Sequence, residues 1–110
     1  MTALEQGDII EVDFNPSIGH EPAKLRPAVV VSVFGFNTRS SLVSVVPVTT
    51  KQRGYPLHVP IKADAATGWA CVEALRNIDV VHRGYRIIGH ADDASMRTIL
   101  RYIRGMFGLR

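Results

Sequence analysis

The sequence predicts an antiparallel α+β domain, mostly β, in which short strands close into a small barrel and one C-terminal α-helix follows. Three observations predict it. Apolar residues recur with a period of two, or in continuous β-branched runs, up to Ile78, after which the pattern weakens. The period then changes to that of a helix, once, near Asp92. The chain has 110 residues and is 46% hydrophobic, enough for one core and too short for two, so 1–110 reads as a single domain.

Residues 7–14 alternate, with Ile10, Val12 and Phe14 on one face and Ile9, Glu11 and Asp13 on the other. That pattern predicts a half-buried strand. Asn15, Pro16, Ser17 and Gly19 break it, so 15–25 reads as a loop, long for a hairpin and a candidate for function. Residues 27–34 form a β-branched run that predicts a strand buried on both faces. Pro27 suits its first position, where no amide donor is needed. A loop is expected over 35–40 and a further strand over 42–50, with Pro47 making its far end an edge or a bulge. A basic turn over 51–56 leads to a short strand at 57–61. A small-residue loop then precedes a strand over 69–75, and 86–90 is a last short strand.

Asp92 or Asp93 is placed to cap the helix. Met96, Ile99, Leu100, Ile103, Met106 and Phe107 form its apolar stripe, with Arg97, Arg101 and Arg104 opposite. Gly105 costs this helix about 1 kcal/mol relative to alanine. The stripe must bury itself against the barrel or against a second copy of the chain.

Thirteen Lys and Arg against ten Asp and Glu give a net charge of +3, which permits an anionic partner such as nucleic acid without demanding one. A single cysteine, Cys71, excludes an intrachain disulfide and a cysteine-rich structural zinc site. His20, His58, His82 and His90 lack His-x-x-x-His spacing, so neither a metal nor a cofactor is expected. The first residues include Glu5 and Asp8 and no apolar signal segment, and no apolar run approaches about 18 residues. The expectation is a cytoplasmic protein with no membrane partner.

Three segments carry candidate chemistry. The loop from Gly19 to Pro27 gathers His20, Glu21, Lys24 and Arg26. Arg26 stands at the start of a strand, and a guanidinium fixed on a rigid element binds phosphate oxygens bidentately. The same residue could instead pair with a nearby carboxylate. Thr49 and Thr50 end a strand with adjacent hydroxyls, of which one faces a given site. Cys71, Glu73 and Leu75 are expected to share a strand face. A carboxylate among apolar neighbours is paired or holds its proton more tightly. Glu73 is therefore open to two roles, general acid or base and half of a buried salt bridge.

In order along the chain, these pieces resemble the MazF/PemK (Kid) toxins of type II toxin–antitoxin systems. Residues 7–16, Gly-Asp-Ile-Ile-Glu-Val-Asp-Phe-Asn-Pro, are similar to that family's opening. Gly19-His20-Glu21 with Arg26-Pro27-Ala28-Val29-Val30-Val31-Ser32 resembles its next segment. Phe36-Asn37, Val46-Pro47-Val48-Thr49-Thr50, Gly54-Tyr55-Pro56 and Arg76-Asn77-Ile78-Asp79 continue the likeness in register.

The resemblance implies an SH3-like, CcdB/MazF-type small barrel with a C-terminal α-helix, assembled as a homodimer. It implies metal-independent, sequence-selective cleavage of single-stranded RNA, chiefly mRNA, and a cognate antitoxin with an acidic, disordered tail. Carried over by motif, Arg26, Thr49, Glu73 and Glu21 are the catalytic candidates. His20, Lys24, Thr50, Lys51, Arg53, Tyr55 and Arg76 are the RNA-binding candidates. Two departures stand out. The family commonly has Asp-Gln where this chain has Glu73-Ala74, and Kid-type members carry arginine where Cys71 stands. The longer Glu73 displaces its carboxylate by about one C–C bond, and misplacement on the order of 1 Å can cost about a hundredfold in rate. These departures keep open a non-catalytic, CcdB-like toxin or binding module that acts on a protein target such as DNA gyrase.

Overall fold

The structure is a computed structural model and describes residues 1–14, 25–51, 54–63 and 66–109. Seven strands form it: β1 (Asp8–Asp13), β2 (Leu25–Val30), β3 (Leu42–Thr49), β4 (His58–Ala63), β5 (Ala66–Cys71), β6 (Arg76–Asp79) and β7 (Tyr85–His90). Their order is β4-β5-β3-β2-β1-β7, with β6 beside β3, and every pairing is antiparallel. Two one-turn helices, α1 (Phe34–Asn37) and α2 (Val80–Arg83), interrupt the strands, and α3 (Asp93–Phe107) ends the fold. The predicted α+β, mostly β architecture with a terminal helix is what forms.

Strand alternation divides the core in two. Ile9, Val29, Val46, Val48, Val59, Ile61 and Ala70 face α3 and meet its buried Met96 and Ile99. Ile10, Val12, Ala28, Val30, Val43, Val45 and Ile78 make a second core on the opposite face. The β-branched run in β2 is thus buried on both faces, as its composition predicts.

That run is a strand only to Val30. Val33 and Phe34 are exposed, and Phe34 opens α1 within the span expected to be strand and loop. A polar knot draws the chain out of the sheet. Fully buried Asn37 donates to the Leu4 carbonyl at 2.9 Å and the Ser32 carbonyl at 3.0 Å. Its Oδ1 accepts from Ser32 Oγ at 2.6 Å, and Ser32 Oγ accepts from the Ser44 amide at 3.0 Å. A buried amide satisfied this fully outweighs local strand preference.

Pro47 lies at neither an edge nor a bulge; it pairs with Ala28 in the middle of the sheet. On its other side β3 changes partner, pairing β6 up to Val45 and β5 from Val48. The Val31 amide donates to the Ser44 carbonyl, so Ser44 points its polar groups toward β2. By alternation Pro47 points its nitrogen the opposite way, into the gap between β6 and β5. The missing donor falls where no ladder bond is available.

The strand expected over 69–75 is also displaced. β5 begins at Ala66 and stops at Cys71, and Val72–Ala74 make a single 3₁₀ turn. Val72 is fully buried, and the Leu75 amide donates to its carbonyl at 3.1 Å. Cys71, Glu73 and Leu75 therefore do not share one strand face. β6 pairs with β3 where four residues are too few to display a period.

Asp92 caps α3, its carboxylate accepting from the Ser95 amide at 3.0 Å and the Ser95 hydroxyl at 2.7 Å. These bonds hold the Asp92 carboxyl below its ordinary range, the hydroxyl bond contributing most. Gly108, at φ 68°, ends the helix in the left-handed region, and the Leu109 amide reaches back to the Arg104 carbonyl at 2.8 Å. The far end of the apolar stripe, Met106 and Phe107, stays exposed.

Candidate functional site

Arg26 is in phase with Ala28 and Val30, and Thr49 with Val43 and Val45. Both therefore project from the face opposite α3. In the β2–β3 register Ala28 meets Pro47 and Val29 meets Val46. The ladder ends at the Ala28–Pro47 pair, two residues short of Arg26 and Thr49. The two line one open cleft of about 370 Å³ with Leu25, Pro27, Val48, Thr50 and Lys51. Arg26 is exposed, and among the described residues no carboxylate pairs with it.

The chain turns immediately after Thr49, whose hydroxyl accepts from the Lys51 amide at 3.2 Å. On the β5 side Thr49 pairs with Trp69, which lies on the same face. The preceding residue must be glycine for a steric reason. A Cβ on Gly68 would lie 2.3 Å from the Thr49 carbonyl oxygen. Removing the side chain at 68 allows the β5 backbone to press against β3 where Thr49 is presented.

Arg76 pairs with Val45 and so shares this face. Its guanidinium sits over the Phe14 ring, 5.2 Å from the centroid, a cation–π contact that limits its motion. With Arg26 and Lys51 it makes this end of the face cationic.

Glu73 is elsewhere. It lines a second cleft, about 220 Å³, with Tyr55, Pro56 and Leu57. Its Oε2 is 2.8 Å from His58 Nε2, and the Tyr55 ring meets the His58 ring edge-on at 5.2 Å. His58 is buried and lies opposite Cys71 in the β4–β5 register. This group occupies the same face as Thr49, about two strand spacings, roughly 10 Å, from β3.

The structure thus brings together Arg26, Thr49, Thr50 and Lys51. It sets Glu73 and Tyr55 in a neighbouring cleft, and Arg76 on Phe14. Glu21, His20, Lys24 and Arg53 lie outside the described residues. The sequence reading missed His58, Trp69 and Gly68. In Leu57-His58-Val59-Pro60-Ile61 the alternation puts His58 on the phase opposite the core residues Val59 and Ile61. Its partner, 15 positions on, becomes visible only once the β4–β5 hairpin register is known.

A mostly β sheet ended by one terminal helix, with Arg26, Lys51, Thr49 and Thr50 lining one open cleft, defines a small α+β protein. The chain belongs to the PemK-like, MazF-like toxins of type II toxin–antitoxin systems, whose family profile matches residues 5–107. It is 34% identical over 104 residues to the endoribonuclease toxin MazF of Escherichia coli (strain K12), 94% of each chain being covered. It is 28% identical over 102 residues to the endoribonuclease PemK of Escherichia coli, covering 88% of this chain and 77% of that protein. The fold superposes on MazF in a MazE–MazF crystal structure from Deinococcus radiodurans with a TM-score of 0.89, at 24% identity and over 100% of both chains. No helix among the described residues is long and apolar enough to cross a membrane.

Proposed function

We propose that this chain is a toxin endoribonuclease that cuts single-stranded RNA at the Arg26–Thr49 cleft, without a metal. The observation that carries the reading is that Arg26 and Thr49 line one open cleft. The family membership and the 34%-identical endoribonuclease relative support it.

The substrate supplies its own nucleophile. The ribose 2′-hydroxyl gives its proton to a carboxylate, and its oxygen bonds to the adjacent 3′-phosphorus. The bond from phosphorus to the 5′-oxygen breaks, and that oxygen is protonated as it leaves. The products are a 2′,3′-cyclic phosphate and a 5′-hydroxyl. Arg26 and Thr49 hold the phosphoryl oxygens as negative charge builds on them, the kind of interaction that often supplies the largest share of catalysis. Glu73, fixed by His58, and Glu21 are the two candidate proton acceptors. Lys51, Arg53, Lys24 and Arg76 attract the phosphate backbone. Tyr55, with His20 and Thr50, contacts the bases and sugars as the strand crosses from one cleft to the other.

The partners follow from the same reading. A cognate acidic antitoxin covers the cationic face; one structural relative was solved as MazE–MazF. Exposed Met106, Phe107 and Leu109 leave the end of α3 apolar, which supports a homodimer in the cytoplasm. RNA with a single 2′-deoxy nucleotide at the cleavage position tests the mechanism. It should resist cutting there, and cutting at the normal rate overturns the proposal.

A further inference from the structure

Beside the second cleft, three side chains make a donor set that the RNA chemistry does not fully use. One ring nitrogen of His58, Cys71 Sγ and a Glu73 carboxylate oxygen lie within 4.8 Å of one another. They come from β4, the end of β5 and the turn after it, so no sequence spacing betrays them. His58 Nε2 meets Glu73 Oε2 at 2.8 Å, so this nitrogen is the one that faces the carboxylate. The His58 side chain is only 2% exposed. Sulfur, imidazole and carboxylate are together the ligands of a borderline-soft divalent cation.

We propose that His58, Cys71 and Glu73 bind one zinc-class divalent cation, and that occupancy slows RNA cleavage. Zinc takes sulfur at about 2.3 Å and nitrogen or oxygen at about 2.0–2.2 Å, so tetrahedral ligands stand about 3.3–3.8 Å apart. The present separations need movements of about 1 Å to meet that geometry. Glu73, with its side chain 37% exposed, is free to make most of them. Binding displaces the Cys71 thiol proton to solvent, and the thiolate ligates. Glu73 also borders the cleft bounded by Tyr55, Pro56 and Leu57. With its oxygens on the metal, Glu73 no longer accepts a proton from RNA or faces the strand. This second half rests on the nuclease reading; the binding half does not.

The two halves are tested separately on metal-free, full-length protein. Cobalt(II) titration should give a thiolate charge-transfer band that saturates at one ion per chain. Zinc should displace the cobalt. Cys71→Ser should abolish the band, and exposed Glu73→Gln should weaken zinc binding by about tenfold or more in equilibrium dialysis. No band with wild type, or zinc binding equal in wild type and Cys71→Ser, overturns the site. In the second arm, zinc should slow cleavage by wild type but not by Cys71→Ser. Equal cleavage by wild type with and without saturating zinc overturns the regulatory half. Absence of cleavage by the metal-free wild type removes the nuclease reading and the regulatory half with it, while cobalt and dialysis still decide the site.

Discussion

A Cβ on Gly68 would stand 2.3 Å from the carbonyl oxygen of Thr49, so the residue beside the proposed phosphate hydroxyl can only be glycine. Real contacts of that length do not occur, and the obstacle is backbone rather than a flexible side chain. Gly68→Ala must push β5 away from β3 at the Thr49–Trp69 pair. The expected outcome is a fall in cleavage rate of about a hundredfold, as for a misplacement on the order of 1 Å. A rate within twofold of wild type would mean that the cleft does not depend on this contact. Single-turnover cleavage with circular dichroism on the same sample measures both rate and fold.

Arg26 is exposed and lies at the start of β2, so its truncation should leave the core intact. Arg26→Ala is expected to lower the cleavage rate by about 10²–10³-fold, the usual cost of losing one preorganised charge-stabilising donor. Thr49→Val, which keeps shape and removes the hydroxyl, should cost less. Melting temperatures close to wild type are expected for Arg26→Ala.

The proton acceptor is decided by two variants. Glu73→Gln and Glu21→Gln each keep size and remove the charge. The variant that has lost the base should slow cleavage by about 10²–10⁴-fold. His58→Gln should reproduce part of the Glu73→Gln loss if His58 positions that carboxylate. A His58→Gln effect with no effect of Glu73→Gln would place His58 itself at the chemistry. The measurement is the rate constant at saturating RNA.

Asn37 tests the fold independently of function. Asn37→Ala removes three hydrogen bonds made by a fully buried side chain and takes this partner from the Leu4 and Ser32 carbonyls and from the Ser32 hydroxyl proton. A loss of about 3 kcal/mol in unfolding free energy is expected. Urea denaturation with an unchanged m-value checks it.

Asp92 gives a pH-dependent signature. Its carboxyl is held below the ordinary range mainly by the Ser95 hydroxyl, so the folded state favours the charged form. The cap's contribution is therefore fully present above the ordinary carboxylate pKa. It is lost as acid takes the pH down through the lowered value. Asp92→Ala should cost about 1 kcal/mol at neutral pH. The difference in melting temperature from wild type should shrink on acidification, and a constant difference down to strongly acid pH would contradict the assignment.

The sequence made much of this legible, for identifiable reasons. The period change at Asp92 locates α3 because fifteen residues are enough to show a helical stripe. The β-branched run of β2 carries burial on both faces in its composition. Pro47 misleads because a proline is tolerated in a central strand where that strand changes partner, which is a property of topology. Glu73 misleads because a buried Val72 pulls the chain into a 3₁₀ turn after Cys71. At the site, Arg26 and Thr49 are readable as motif residues, whereas their meeting in one cleft needs the pairing of β2 with β3. His58 is invisible because its partners, Cys71 and Glu73, are close only through the β4–β5 hairpin. Local pattern finds elements; pairing across the sheet makes the site.

The central claim is that the Arg26–Thr49 cleft cuts RNA unaided by metal. It is tested most directly by incubating a long single-stranded RNA with purified antitoxin-free protein in EDTA, beside Arg26→Ala, and mapping the fragment ends. Discrete cuts by wild type alone, leaving 5′-hydroxyl ends, are the predicted result. No cuts from a folded wild-type protein, or equal cutting by Arg26→Ala, would contradict the account.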